Sequence, residues 1–275
     1  MSKLAVCELI SVGTEILLGD ILNTDAQYLS IELAKLGISV IHQSTVGDNR
    51  ERLLAQLDEA AKRSDIIILS GGLGPTPDDL TKEVCCEFFG KEMFLHEPTV
   101  EKIKEYFSSK GIEMAQNNLK QAMLPKDCVI FPNDNGTAPG MAIEKDGVHI
   151  LVLPGPPREL KPMFQNCAVP YLMQFSDRII VSHNIRTFGI GESSMAERVN
   201  DLFNAQNPTV APYAKDGEAL LRVTAMAKTK EDAESLCEPI IEEIKKRLDA
   251  YVYGVDYNCI EEAVVGMLKE HAGFG

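Results

Sequence analysis

The chain has 275 residues, of which 45% are hydrophobic, 25% charged and 6% aromatic, a composition that excludes a disordered or fibrous protein. Its length suggests about two domains. The formal net charge of −14 repels phosphodiester backbones at long range and disfavours extended nucleic-acid binding, while a small phosphorylated ligand or a divalent cation stays compatible with it.

The seven cysteines, Cys7, Cys85, Cys86, Cys128, Cys167, Cys237 and Cys259, show no C-x-x-C spacing and have no histidine beside them. They are expected to be reduced thiols packed as small apolar residues, not zinc ligands. Residues 1–10 lack a long apolar stretch and a small-residue cleavage pattern. No segment approaches the ~20 apolar residues that span a bilayer, so a cytoplasmic protein with no membrane partner is expected.

The first apolar run, Leu4 to Val12, reads as a buried strand that ends at Gly13. Asp25 to Leu36 has helical spacing, closed by Gly37. Ser39 to Val46 reads as a strand, Asn49 to Arg63 as a helix, Asp65 to Leu69 as a strand buried on both faces, and Leu80 to Phe89 as a helix. This alternation predicts a doubly wound, mostly parallel sheet with helices on both sides, in which ligands bind beyond the carboxyl ends of the strands. Glu97 to Met123 is helical and polar in pattern. Val129 to Phe131, Met141 to Glu144 and Val148 to Leu153 read as strands, the last two a hairpin about the turn Lys145-Asp146-Gly147. A helix follows from Pro157 to Gln165.

A boundary is expected near Phe175-Ser176-Asp177. Beyond it the pattern restarts: strand Ile179 to Phe188, helix Ser193 to Phe203, strands Thr209 to Tyr213 and Ala219 to Ala227 joined through Lys215-Asp216-Gly217, helix Glu231 to Leu248, and a short strand Tyr251 to Tyr253. This predicts a small α+β domain of β-α-β-β-α-β order. A terminal amphipathic helix, Asn258 to Glu270, has no core of its own. The expected domains are residues 1–172, 176–255 and a terminal helix within 256–275.

The chemistry concentrates in loops. Ser70-Gly71-Gly72-Leu73-Gly74-Pro75-Thr76-Pro77-Asp78-Asp79 follows a buried strand and opens a helix. Its glycines let the backbone approach a ligand, and N–H groups near the helix start can cradle a phosphate. Asp78 or Asp79 can cap that helix. Only one cap is needed, which leaves one for a ligand or a metal. Glu83, four residues after Asp79, is expected one helical turn on, where both carboxylates could face one cation. Gly13-Thr14-Glu15 follows the first strand, where Thr14 can bond a phosphate and Asn23-Thr24 can cap the next helix. Asp48 or Asn49, after the second strand, is a ready N-cap for the helix that follows, and Asp48 lies where a second metal-facing carboxylate is possible. Asn135-Gly136-Thr137-Ala138-Pro139-Gly140 and Pro154-Gly155-Pro156-Pro157-Arg158-Glu159 are turn-forming. Arg158 at a helix start opposes the macrodipole and hints at an anion. His96, His149 and His183 read as isolated surface or packing residues.

Taken together, the run Gly13 to Ala26, the Ser70 to Glu83 loop, Asn135 to Gly140 and Pro154 to Glu159 resemble the CinA family, competence- and damage-inducible protein A, over about Leu4 to Tyr253. The first domain of that family is similar to the molybdopterin-binding domain of molybdenum-cofactor biosynthesis proteins. The resemblance implies a doubly wound first domain and a KH-like second one. It also implies metal-dependent hydrolysis of ADP-ribose to AMP and ribose 5-phosphate. A divalent ion, Mg²⁺ or similar, is implied, with a monovalent cation allowed beside it, and a homodimer. Many relatives carry a third domain that deamidates nicotinamide mononucleotide. Here only its expected first helix is present, and no deamidase activity is expected.

In the molybdopterin relatives two aspartates hold the metal and phosphates, matched here by Asp48 and Asp79. Those relatives have Thr at Leu73 and Arg at Asp78, departures that weaken a pterin reading. The expected site has one phosphate on Gly71, Gly72 and Gly74, near Thr76, and a cation on Asp79 with Asp48 or Glu83. Thr14, Asn23, Gly13, Thr137, Gly140 and Gly155 are expected near the nucleotide, with Lys82 or Arg158 offsetting developing charge. Rival readings on the same fold are a molybdopterin-binding or adenylyl-transferring protein and a non-catalytic nucleotide-binding competence protein. Nucleic-acid binding through the second domain is disfavoured, because Gly189-Ile190-Gly191-Glu192 is acidic and not flanked by basic residues.

Overall fold

The computed structural model describes residues 5–175, 178–215 and 218–272. Contacts divide the chain into Met1–Ser176 and Asp177–Gly275. The expected boundary thus falls on Ser176 and Asp177, which lie outside the described residues, as do Asp216 and Gly217 of one predicted turn and the last three residues.

The first unit runs β1 (Val6–Val12), α1 (Thr14–Leu18), α2 (Thr24–Lys35), β2 (Ser39–Val46), α3 (Arg50–Ala61), β3 (Ile66–Ser70), α4 (Thr81–Phe89), β4 (Met93–Leu95), α5 (Glu97–Ser109), β5 (Met123–Pro125), β6 (Val129–Phe131), β7 (Gly140–Lys145), β8 (Val148–Leu153), α6 (Pro157–Met163) and α7 (Val169–Leu172). The main sheet has the order β2-β1-β3-β8-β7-β6. Its first four strands pair in parallel, with Leu9 opposite Ile68 and Ile68 opposite Leu151. The last two are antiparallel.

Strand residues alternate between two cores, as a period of two requires. Cys7, Leu9, Ile66, Ile68, Leu151 and Leu153 pack under α2 and α6 with Leu29, Leu33 and Leu160. Ile10, Val12, Ile67, Leu69, Ile150 and Val152 pack under α3 and α4 with Leu53, Leu57 and Val84. This three-layer arrangement is the predicted one. In the β7–β8 hairpin Asp146 and Gly147 both have positive φ, 52° and 81°, as a two-residue turn of the favoured twist needs.

Several elements differ from the sequence reading. The helical pattern over Glu97 to Met123 breaks after Ser109, where Gly111 takes φ 65°, and resumes as a 3-10 helix, Gln116–Ala122. Met123 belongs instead to β5, which pairs with β4, two three-residue strands too short to show a period. The helix predicted from Pro157 to Gln165 continues through a wider π turn, Phe164–Ala168, into α7. Pro170 there has no N–H to give to the preceding turn.

The second unit runs β9 (Ile179–Thr187), α8 (Glu192–Arg198), β10 (Thr209–Lys215), β11 (Glu218–Ala227), α9 (Lys230–Leu248), β12 (Val252–Val255) and α10 (Ile260–Ala272). The helix predicted to reach Phe203 ends at Arg198 and gives way to a 3-10 turn, Asn200–Asn204. The antiparallel sheet β10-β11-β9-β12 buries Ile185, Leu221 and Val223 against Met195, Cys237, Ile241 and Ile244 of α8 and α9. His183 is not isolated. Its Nδ1 lies 2.6 Å from Asp256 and its Nε2 2.7 Å from Glu234. Burial pulls its pKa down, but the two carboxylate hydrogen bonds outweigh that and hold it above the usual imidazole value.

Candidate functional site

From β1 the chain moves outward to β2 and then returns to β3 on the other side of β1. The sheet order reverses there, and the crevice beyond those strand ends is where open α/β sheets bind ligands. Ser11 and Ser70 are register partners, so the loops after β1 and β3 leave the sheet side by side. Gly71 has φ +98°, and a Cβ on it would sit 2.1 Å from the Val12 carbonyl oxygen; Gly72 has φ +65°, and its Cβ would sit 2.2 Å from Thr81 Oγ1. Only glycine fits either position. Thr81 Oγ1 donates to the Gly71 carbonyl at 2.9 Å and fixes the loop to α4.

These loops surround a cavity of about 640 Å³. Among the predicted residues, Gly13 and Asn23 line it from the β1 side, Asp48 from the β2 side, and Gly71, Gly72, Gly74 and Asp79 from the β3 side. Thr137, Gly155 and Arg158 complete its far wall. None of the three candidate aspartates caps the helix it precedes. Asn49, not Asp48, caps α3 by accepting from Arg52 N at 3.0 Å. Neither Asp78 nor Asp79 caps α4, whose N-cap Leu80 has no side-chain bond. Asn23 caps α2 through Ala26 N at 3.1 Å and donates to Ser11 Oγ at 2.9 Å, which ties the helix start to the end of β1.

Five predicted residues do not line the cavity. Thr14 donates its N–H and its hydroxyl to Asp48 Oδ2 at 2.9 and 2.8 Å. Thr76 donates its N–H to Asp79 Oδ2 at 3.0 Å, and its hydroxyl bonds the same oxygen. Both threonines therefore position a cavity aspartate. Lys82 is 3% exposed and donates to the Gln121 carbonyl at 2.6 Å; burial pushes its ammonium down to about 8. It braces Gln121, a cavity residue whose Nε2 reaches Leu73 O at 3.3 Å. Glu83 pairs with Lys120 at 3.5 Å; α4 begins at Thr81, so Asp79 and Glu83 do not share a helical face as expected. A Cβ on Gly140 would strike Val152 O at 2.5 Å, so this glycine serves the β7–β8 packing.

Glu15, Asp25, Asp48, Asp78, Asp79 and Glu159 line the cavity, against the single basic side chain of Arg158. So many carboxylates oppose a bare phosphate and favour one accompanied by a cation. Among the described residues no group of three or more His, Cys, Asp or Glu is placed to hold a metal alone. Asp48 and Asp79 are hard oxygen donors on loops that line the same cavity, each held by its own threonine. They suit an ion such as Mg²⁺, which uses one or two carboxylates and completes its shell with substrate phosphates and water. Glu83 does not fit that set. The sequence reading missed Asp25, Glu15, Tyr106 and Gln121. Asp25 looked like an ordinary acidic first-turn residue, and the other three gain meaning only from positions distant in sequence.

A family model described as a probable molybdopterin binding domain matches residues 8–174, and one described as the damage-inducible protein CinA KH domain matches residues 182–254. A CinA-like protein of Dictyoglomus turgidum is 54% identical over 265 residues, covering 96% of this chain and 64% of that protein. A putative competence-damage inducible protein of Clostridium beijerinckii is 53% identical over 264 residues, with the same coverage of 96% and 64%. The chain thus spans 64% of the length of these relatives. A solved structure of protein CinA, with unknown function, from Thermoplasma acidophilum matches at 30% identity and a TM-score of 0.56, covering 61% of this chain and 98% of that one.

Proposed function

The chain belongs to the CinA family, and from that premise we propose that its first unit hydrolyses ADP-ribose, or a closely similar nucleoside diphosphate sugar, to AMP and ribose 5-phosphate. The observation that carries this reading is the pairing of two glycine-demanding positions, Gly71 and Gly72, with two threonine-held aspartates, Asp48 and Asp79, around one cavity at the switch point of the sheet. Backbone N–H groups approach a diphosphate closely, and Arg158 adds the one positive side chain. A water attacks one phosphorus in line with the bridging oxygen. The P–O bond to the bridge breaks, the water's oxygen ends in one product, and its released proton leaves to solvent or to a carboxylate. A divalent ion held by Asp48 and Asp79 would neutralise the charge that builds on the phosphoryl oxygens.

A pterin-binding reading draws on the family model of residues 8–174. Against it, Leu73, which stands where the molybdopterin relatives have threonine, is buried in the core, and Asp78 adds negative charge to the cavity wall. The two readings separate in one assay. The protein is incubated with ADP-ribose and a panel of divalent and monovalent cations, and AMP is sought by chromatography. AMP released only with a divalent ion supports the hydrolase. No AMP from folded protein across the panel rejects it.

A further inference from the structure

The turn that carries Asp79 is closed from within and from outside. Within it, Asp79 N–H donates to the Thr76 carbonyl at 3.2 Å, and Thr76 N–H donates to Asp79 Oδ2 at 3.0 Å. The carboxylate lies over Gly74, where an added Cβ would stand 2.4 Å from Oδ2. From outside comes Lys120, of the 3-10 helix Gln116–Ala122. Its ammonium donates to the Thr76 carbonyl at 2.9 Å and also to the Asp79 carbonyl, and it stands 3.5 Å from Glu83. One cation therefore holds the backbones of both residues of the threonine–aspartate pair, from 44 and 41 positions away in sequence.

Lys120 is not among the residues that line the cavity, so it acts on a ligand only through Asp79. Helix electrostatics do not account for its place, because a cation beside the start of α4 opposes the macrodipole. Its pair with Glu83 is partly open to water and contributes little. An ammonium has three N–H donors and no acceptor, and hydrogen bonds from a charged donor are the stronger kind. Two such bonds go to the carbonyls of Thr76 and Asp79. Without them the turn is left with the bonds it makes within itself. We propose that Lys120 is a positioning residue that fixes the Thr76–Asp79 turn, and with it the Asp79 carboxylate, in the geometry that binds a divalent cation. The inference rests on the reading of Asp79 as a cation-holding carboxylate, and it does not require that the protein hydrolyse anything.

The test is binding of Mn²⁺, a paramagnetic stand-in for Mg²⁺, to the full chain, alone and with methylenediphosphonate, a diphosphate analogue that water does not cleave. Lys120→Met removes a positive charge beside an aspartate, which by Coulomb attraction alone would tighten cation binding. Loss of a positioning contact does the reverse, and Lys120→Met should weaken Mn²⁺ about tenfold. Lys120→Arg keeps a cation with several N–H donors and should stay within about threefold of the wild type. Lys145→Met also removes a lysine donor from a carbonyl at one end of α4, that of Phe89, and should leave Mn²⁺ binding unchanged. A second readout needs no metal: the Thr76 amide, bonded to Asp79 Oδ2, should exchange with solvent about tenfold faster in Lys120→Met, with the urea unfolding midpoint near that of the wild type. The proposal is overturned if Lys120→Met binds Mn²⁺ as tightly as the wild type or more tightly, if Lys145→Met weakens it equally, or if Thr76 exchange does not change. Asp79→Ala separates these outcomes from the cation reading itself. Unchanged Mn²⁺ binding in that variant removes both, whereas its loss there with Lys120→Met unaffected overturns the proposal alone. Loss of the hydrolase reading would show separately, as absence of AMP from ADP-ribose.

Discussion

Both units carry closely spaced glycines just after a strand and just before a helix, and the resemblance ends there. In the first unit, a Cβ on Gly71 would lie 2.1 Å from a backbone oxygen of the neighbouring strand. In the second, Gly189 and Gly191 have nothing within 4 Å of an added Cβ. The first loop is glycine-rich because backbone must pass close to backbone beside a cavity. The second needs glycine only for the φ of +77° at Gly189; Gly191, with φ −76° and ψ 152°, is ordinary extended backbone. A glycine pattern in sequence therefore says that the chain bends, and only its surroundings say why.

The contrast is sharpest under substitution. Gly71→Ala combines left-handed strain with a backbone clash and should cost about 4 kcal/mol, read by urea unfolding. Gly191→Ala should stay within about 0.5 kcal/mol. Equal losses at the two positions would remove the distinction.

Buried charge separates the units in a second way. Lys82 loses its ammonium's hydration, whereas His183 gains two carboxylates. The Lys82 value falls to about 8 from an ordinary 10.5, so between those values the unfolded chain binds more protons and stability rises with pH. Relative to Lys82→Met, the wild type should gain up to about 3 kcal/mol between pH 8 and 10.5. For His183 the sign is opposite: its folded value is raised, so its contribution is present below the unfolded value of 6.5 and is lost as pH rises through the folded one. Relative to His183→Gln, the wild type should lose less than about 1 kcal/mol over that window, since both carboxylate partners are over 40% exposed. Thermal unfolding across pH checks both slopes, and slopes of the same sign would contradict the assignment.

Much of this architecture was legible because burial writes a period. Ile66 to Leu69, apolar on both faces, announced a central strand, and Leu29, Leu33, Leu53 and Leu57 announced helix faces. Lys145-Asp146-Gly147 announced its hairpin. What stayed hidden had no period. α1 is five residues long and buries none of them, with Leu18 71% exposed. Lys82 sits in an amphipathic helix where a lysine normally reaches water, yet it is buried and donates to the carbonyl of Gln121, which is 39 positions away in sequence. At the site, the spacing of glycines and aspartates was visible, but the division of labour was not. Thr14 and Thr76 were expected on a ligand and instead hold Asp48 and Asp79. Asp25 was missed because an acid in a first helical turn needs no further explanation until its oxygen is found without a partner.

The central claim is that a phosphoanhydride bond is hydrolysed in the cavity between the β1 and β3 loops. Turnover of ADP-ribose by the wild type and by Asp79→Ala, with Mg²⁺ and with both proteins shown to be folded, tests it most directly. The account predicts AMP and ribose 5-phosphate in equal amounts from the wild type, and a rate about 100-fold lower or less from the variant. Wild-type turnover by Asp79→Ala would place the chemistry elsewhere in the molecule and contradict the account.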